Sequence, residues 1–172
     1  MFRKAVRGWQ HTLTLIRAAP NAETRRLLGR MIDFSRFLPR QFDQPLPLMM
    51  QQLTPPSQVL EAVEPETVRR LADAVAAWHV RSPLGICLRR SLLRYYFLHE
   101  ADVPVQIVFG ARLKGQAGGG GLGGHAWLKL DGLPYYENPK DYEGFVEMFV
   151  YPEDRQPSPV SSKQSLNRQS QT

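Results

Sequence analysis

The chain contains one cysteine, Cys87, in 172 residues, so it can form no internal disulfide and its stability must come from a packed core. No uninterrupted apolar run approaches the roughly 18 residues that a membrane-spanning helix requires. The start, Met1–Phe2–Arg3–Lys4, leads into a stretch broken by polar side chains, without the apolar centre of a signal peptide. These absences give the expectation of a soluble, cytoplasmic protein with no membrane span. No Cys/His cluster has structural-zinc spacing, no internal repeat is present, and no cofactor is expected. The 42% of hydrophobic residues suffices for one packed domain and not for two.

Acidic residues are scarce toward the N-terminus. Residues 1–40 carry nine basic side chains against Glu23 and Asp33, a local charge of +7 in a chain whose total is +6. Such a segment attracts an acidic peptide, a nucleic acid or an anionic membrane at long range. A solvated helix face accounts for it equally well. Nucleic-acid binding ranks last, because no recognised domain motif and little sign of a base-stacking surface accompany the charge, and no nucleic-acid partner is expected.

Phe2, Val6, Trp9, Leu13 and Ile16 recur at helical spacing and predict a first amphipathic helix. A second follows Pro20, with Asn21 as N-cap and Leu27, Leu28, Met31, Phe34 and Leu38 as its stripe, ending before Pro39. Between Phe42 and Pro56 the prolines predict a wrapping segment without a long regular element. Pro65 opens a third helix, with Val68, Leu71, Val75 and Trp78 on one face, running to about His79. Arg81 to Gly85 breaks it, and a further helix begins at about Ile86 with Leu88, Leu92, Leu93, Tyr96 and Phe97 inward, until Asp102 and Pro104 stop it. Cys87 therefore falls in a first helical turn.

Beyond Pro104 the pattern becomes that of strands. Val105–Phe109 is rich in β-branched and aromatic residues, and Gly115–Gly124 then holds seven of the 13 glycines. His125–Leu130 reads as a strand, Asp131–Gly132 as a two-residue hairpin turn, Leu133–Glu137 as the returning strand and Phe145–Tyr151 as a final one. Pro157–Thr172, poor in large apolar residues, is expected to form a mobile tail. The expected organisation is a helical region over 1–60, a core over 61–155 and a disordered tail over 156–172, in an α+β class.

A cysteine at a helix start lies at the positive end of the helix dipole, which favours its thiolate, and Arg89 and Arg90 add positive charge nearby. A lone cysteine is more often a small buried hydrophobe. The candidate gains weight from His125, which opens a strand behind the glycine-rich loop. A helix start followed by an antiparallel hairpin can bring a sulfur and an imidazole together, the requirement of Cys/His nucleophilic catalysis. Glu137, on the returning strand, could accept the second imidazole N–H and fix the tautomer. Asp131 is a turn residue. His11, His79 and His99 lack such a context and read as structural or surface residues. Trp127 is expected to pack beneath the site.

Cys87–Leu88–Arg89–Arg90–Ser91–Leu92, the strand end Ile107–Val108–Phe109–Gly110, Gly124–His125–Ala126–Trp127 and Asp131–Gly132 before an acid occur in this order. Together they resemble the transglutaminase-like B proteins of lasso-peptide biosynthesis, specifically the leader-peptidase or B2 domain, over about residues 65–140. The resemblance implies a transglutaminase/papain-like core in which a helix bearing the cysteine packs on a small antiparallel sheet. It implies a triad of Cys87, His125 and Glu137, with Glu where such triads usually carry Asp. The activity implied is cysteine-type removal of a precursor's leader peptide, alongside a separate leader-recognition protein and an ATP-dependent cyclase. Capture of the thioester by an amine, and a non-catalytic module that binds a peptide or partner, are the alternatives.

Overall fold

The computed structural model of the chain describes residues 22–55, 63–79, 81–115 and 120–153. The expected first helix, the Asn21 cap and the tail lie outside these residues. Helix α1, Ala22–Phe37, buries Leu27 and Met31 and gives way at Pro39 to a 3-10 turn over Leu38–Asp43. Helix α2, Leu46–Leu53, buries Met49, Met50 and Leu53, so the segment expected to lack a regular element carries two turns of helix. Pro45 is its N-cap and Pro47 lies in its first turn, where no intrahelical N–H is needed, so the prolines start this helix instead of excluding it.

Helix α3, Pro65–Trp78, has proline in its first turn and buries Val68, Leu71 and Val75. Trp78, expected on the same face, is 64% exposed, because the stripe outruns the neighbouring helices at the last residue. Helix α4, Ile86–Glu100, buries Leu92, Leu93 and Phe97 and is followed by Asp102 at a left-handed φ of 58°. α1 and α4 run antiparallel: Arg30 is paired with Glu100, and Phe34 lies 4.4 Å from Tyr96 between ring centroids.

Strands β1 (Gln106–Leu113), β2 (Leu122–Leu130), β3 (Leu133–Pro134) and β4 (Val146–Tyr151) form one sheet in the order β3-β2-β1-β4, every neighbouring pair antiparallel. Asp131 (φ 51°) and Gly132 (φ 76°) make the hairpin turn, the positive φ at both positions matching the twist of the flanking strands. The returning strand is shorter than expected. After Leu133 and Pro134 only the Tyr135 N–H, donated to the Leu128 carbonyl at 2.9 Å, continues the pairing. Tyr136, at φ 53°, then turns the chain away, and a short helix α5, Pro139–Tyr142, follows with its start capped by the Asn138 side chain.

One face of the sheet meets the helices. Ile107 and Leu128, opposite each other, belong to a single buried cluster with Leu27, Met31, Met50, Leu71, Leu92 and Phe97. The alternate residues Val108, Gly110, His125 and Trp127 take the other face. There Trp127 is buried and lies over Gly110, where an added Cβ would stand 2.5 Å from the Trp127 ring and 3.1 Å from the Val146 carbonyl. Gly110→Ala must push the indole aside. Its expected cost is about 1–3 kcal/mol, as for overpacking elsewhere, with a changed tryptophan emission; urea unfolding followed by fluorescence tests both.

Candidate active site

The side chain that fixes the site is Ser91. Its buried Oγ donates to the Ala126 carbonyl at 2.8 Å, where β2 runs beyond its short pairing with β3 and its carbonyls on that edge need other donors. Cys87 stands one helical turn before Ser91 on the same face of α4, and His125 one residue before Ala126 on β2. Helix start and strand are thus joined at one edge of the sheet. Cys87 is partly exposed and lies within the first closed turn of its helix, where the Arg89 N–H bonds to the Gly85 carbonyl. The cysteine N–H is among the early amides without a helical acceptor.

His125 sits in an aromatic setting. Its ring stacks on Trp127 at 5.8 Å and lies 5.2 Å from Phe145, while Trp127 in turn stacks on Tyr142 at 6.1 Å. Burial lowers the imidazole pKa below its ordinary value; the charges of Arg90 and Arg112 lower it further, and Asp141 opposes them. The ring is therefore neutral at pH 7, the state of a general base. Its buried Nε2 has no hydrogen-bond partner among the described residues, Cys87 included.

Glu137 is engaged differently from the sequence expectation. Its carboxylate, 1% exposed, accepts from Arg90 Nη2 and from Arg94 Nη1, each at 3.0 Å. Neither oxygen is hydrogen-bonded to His125, because the chain turns at Tyr136 and directs the carboxylate onto α4. Burial pushes this carboxyl above its ordinary pKa against the pull of the two guanidinium groups. Arg90 is committed to Glu137 and faces the histidine electrostatically, while Arg89 is buried on another part of the helix.

Sequence reasoning missed the groups that hold this corner. Arg94, 3% exposed, grips Asp73 of α3 through Nε at 2.7 Å and Nη2 at 2.8 Å, besides its bond to Glu137. Arg69 pairs with Asp73 and Glu66 and lies 4.7 Å over the Tyr136 ring. Only the helical spacing of Glu66, Arg69 and Asp73 could have been read from sequence. Asp141, the acid that acts on His125, is the exposed first-turn residue of α5, and no local pattern links it to a histidine sixteen positions earlier.

A cysteine in the first turn of a helix, packed against the histidine-bearing strand of an antiparallel sheet, defines an α+β fold of the transglutaminase-like kind. A protein-family model, the Transglutaminase-like superfamily, matches residues 28–150, and the chain belongs to that superfamily, which generally contains cysteine-type enzymes. No curated protein and no solved structure gives a match. Among the described residues no helix is long and apolar enough to cross a membrane.

Two expectations about stability follow from these contacts. Glu137→Ala strips two buried or half-buried arginines of a carboxylate, and its expected cost is about 3 kcal/mol, in the range for removing one partner of a buried pair; chemical denaturation measures it. His79, His99 and His125 all have lowered pKa values, burial being the largest cause in each. On acidification the unfolded chain therefore takes up protons first. The stability these rings contribute is complete above about 6.5 and is lost as pH falls from there through their lowered folded values. The urea midpoint should drop between pH 7.5 and 5.5, and drop less in His99→Gln; a flat midpoint would contradict the buried, neutral state of these rings.

Proposed function

We propose that the chain is a cysteine peptidase of the lasso-peptide B2 kind, removing the leader from a ribosomally made precursor with Cys87 as nucleophile and His125 as its base. The observation that carries this reading is the Ser91–Ala126 hydrogen bond at 2.8 Å, which ties the cysteine's helix to the histidine's strand one step from each residue. The neutral state favoured for His125 supports the role of proton acceptor. Cys87 Sγ gives its proton to the imidazole and attacks the scissile carbonyl carbon. The carbonyl oxygen carries the developing negative charge, for which the Cys87 backbone N–H is the proposed donor. As the C–N bond breaks, the imidazolium protonates the departing amine, leaving an acyl thioester on Cys87. His125 then takes a proton from water; the hydroxide expels the thiolate, which recovers the proton and restores the resting pair.

Glu137 is the proposed third residue, acting through Arg90. By holding that guanidinium at 3.0 Å it offsets the charge that Arg90 sets against a protonated His125. A separate leader-recognition protein and an ATP-dependent cyclase are the proposed partners, and the cytoplasm the proposed compartment. Capture of the thioester by an amine uses the same groups and differs only in the acceptor. A non-catalytic binding module is the second reading, and the observation in its favour is that both Glu137 oxygens are taken up by arginines.

The test is cleavage of leader–core precursor peptides followed by mass spectrometry, in the wild type and in variants shown to be folded by circular dichroism. Cys87→Ala should abolish product. His125→Ala should slow cleavage about 10²–10⁴-fold, the usual worth of a general base, and Glu137→Gln should slow it less. Alkylation of the single cysteine by iodoacetamide across pH gives a substrate-free check. Reactivity persisting well below the thiol's usual value of about 8.5, and lost in His125→Ala, supports the pair. Equal alkylation in both proteins, or full cleavage by Cys87→Ala, would give precedence to the binding module.

A further inference from the structure

On the face of the sheet away from the helices, Arg112 is a near neighbour of His125. In the register of β1 and β2, Gly110 stands opposite His125 and Arg112 opposite Gly123. Strand alternation therefore puts Arg112 and His125 on the same face as diagonal neighbours, a separation that a long side chain can span. Phe145 links the two. Its ring lies 5.2 Å from the imidazole, and the Arg112 guanidinium carbon stands 4.3 Å over that ring. A guanidinium laid flat on an aromatic ring is held through its face, while its N–H donors lie in its own plane and stay open at the edge.

Those donors have no carboxylate within the described residues. Arg112 is exposed and forms no ion pair there, and Glu147, on the adjoining β4, is paired with Lys129 instead. The surface around the guanidinium is also open. Gly123, opposite Arg112, has no side chain, and Lys114 reaches across it: an added Cβ at Gly123 would stand 3.2 Å from Lys114 Cε. Arg112 and the exposed Lys114 thus make a positive strip that starts beside His125 and follows the glycine-bearing end of the hairpin. The Arg112 charge is close enough to act on the imidazole, with Asp141 opposing it. A cation backed by an aromatic ring, next to a reacting group and without a carboxylate of its own, suits an acid supplied by the substrate. The guanidinium fork matches a carboxylate in a way that lysine does not.

We propose that Arg112, held on Phe145, is a specificity-determining residue of this site and binds an acidic side chain of the peptide near the bond that Cys87 attacks. The guanidinium stands one aromatic ring away from the imidazole. An extended peptide advances about 3.3 Å per residue, so the acid belongs about two or three residues from the attacked carbonyl. The inference deepens the peptidase reading and rests on Cys87 and His125 as the reacting pair. The substrate class it names is a peptide with Asp or Glu at that distance, and Lys114 extends the attraction to any acid further along.

Affinity labelling of the full chain tests the proposal. Acetyl-Glu-Ala-Ala chloromethyl ketone probes the acyl side of the bond and chloroacetyl-Ala-Ala-Glu-amide the amine side, each beside its Gln counterpart. In every case the Cys87 thiolate displaces chloride and forms a thioether, read by intact mass. Rates are taken relative to iodoacetamide, which carries no acid, so that a change in the thiol itself cancels. On one side the Glu probe should label about three- to tenfold faster than the Gln probe, between the worth of an exposed ion pair and that of a charged hydrogen bond. The ratio should shrink in about 1 M salt, where the screening length is about 3 Å. Arg112→Gln should erase it, and Arg112→Glu should favour the matching Lys probe, an inversion that a merely structural arginine would not produce. The responding side identifies the flank that carries the acid. Equal labelling by Glu and Gln probes on both sides, or a Glu preference surviving in Arg112→Gln, would overturn the proposal. Iodoacetamide labelling that is indifferent to His125→Ala, or a Cys87 that resists every reagent, counts against the peptidase reading alone. The carboxylate site is then read by calorimetric titration with acetyl-Ala-Ala-Glu-Ala-Ala-amide and its Gln counterpart: a Glu preference lost in Arg112→Gln retains it, and equal affinity removes it.

Discussion

The buried guanidinium of Arg94 is the constraint on which the candidate site depends. It reaches Asp73 on α3 with two nitrogens and Glu137 beyond the hairpin with a third, so one side chain of α4 joins three parts of the chain remote in sequence. A buried ion pair gains little over an apolar replacement of the same shape, because desolvation cancels most of the attraction. What this one contributes is position. Once Glu137 is fixed between Arg94 and Arg90, the short β3 cannot slide along β2, and the segment leading to α5 is held where Tyr142 and Phe145 can cover Trp127 and His125.

The elements that periodicity predicts are those whose own residues determine them. α3 and α4 carry apolar stripes between clear start and stop signals, a first-turn proline opening α3 and Gly85 preceding α4, and the Asp131–Gly132 turn needs only two left-handed residues. Where the prediction departs from the structure, the deciding contact is distant. Prolines at 45 and 47 look like breakers until they stand at a helix start. Trp78 keeps the spacing of a buried residue but reaches past the last neighbour able to cover it. The returning strand ends early because Tyr136 takes a left-handed conformation beneath the Arg69 guanidinium, a contact between residues 67 positions apart in sequence.

The same distinction separates the site residues. Cys87 and His125 are legible because each occupies a position defined locally, a helix start and a strand behind a glycine-rich loop. Glu137 is legible as an acid near the end of a hairpin, but its partners are not. The arginines that claim it are spaced four apart on a helix more than 40 residues earlier, and nothing in a local window distinguishes them from solvated side chains. Ser91 is similar: a serine within an apolar helix gives no hint that it satisfies a carbonyl left open at a strand edge.

One helix therefore sorts five polar, basic or nucleophilic residues by direction alone. Cys87 and Ser91 face the edge of β2, Arg90 and Arg94 face Glu137, and Arg89 is buried on another side of the helix. At 100° per residue, adjacent positions such as 89 and 90 diverge strongly, so the run Cys87–Leu88–Arg89–Arg90–Ser91 distributes one apolar and four polar or reactive groups around the helix. The two adjacent arginines have opposite electrostatic circumstances as a result. Arg90 is neutralised by a buried carboxylate and helps set the state of His125. Arg89 is more deeply buried than Arg90, and its Nε and Nη1 have no hydrogen-bond partner among the described residues. The same helix start is therefore compensated on one side and leaves a desolvated guanidinium without an acceptor on the other, a difference that the 100° step between neighbouring residues alone produces.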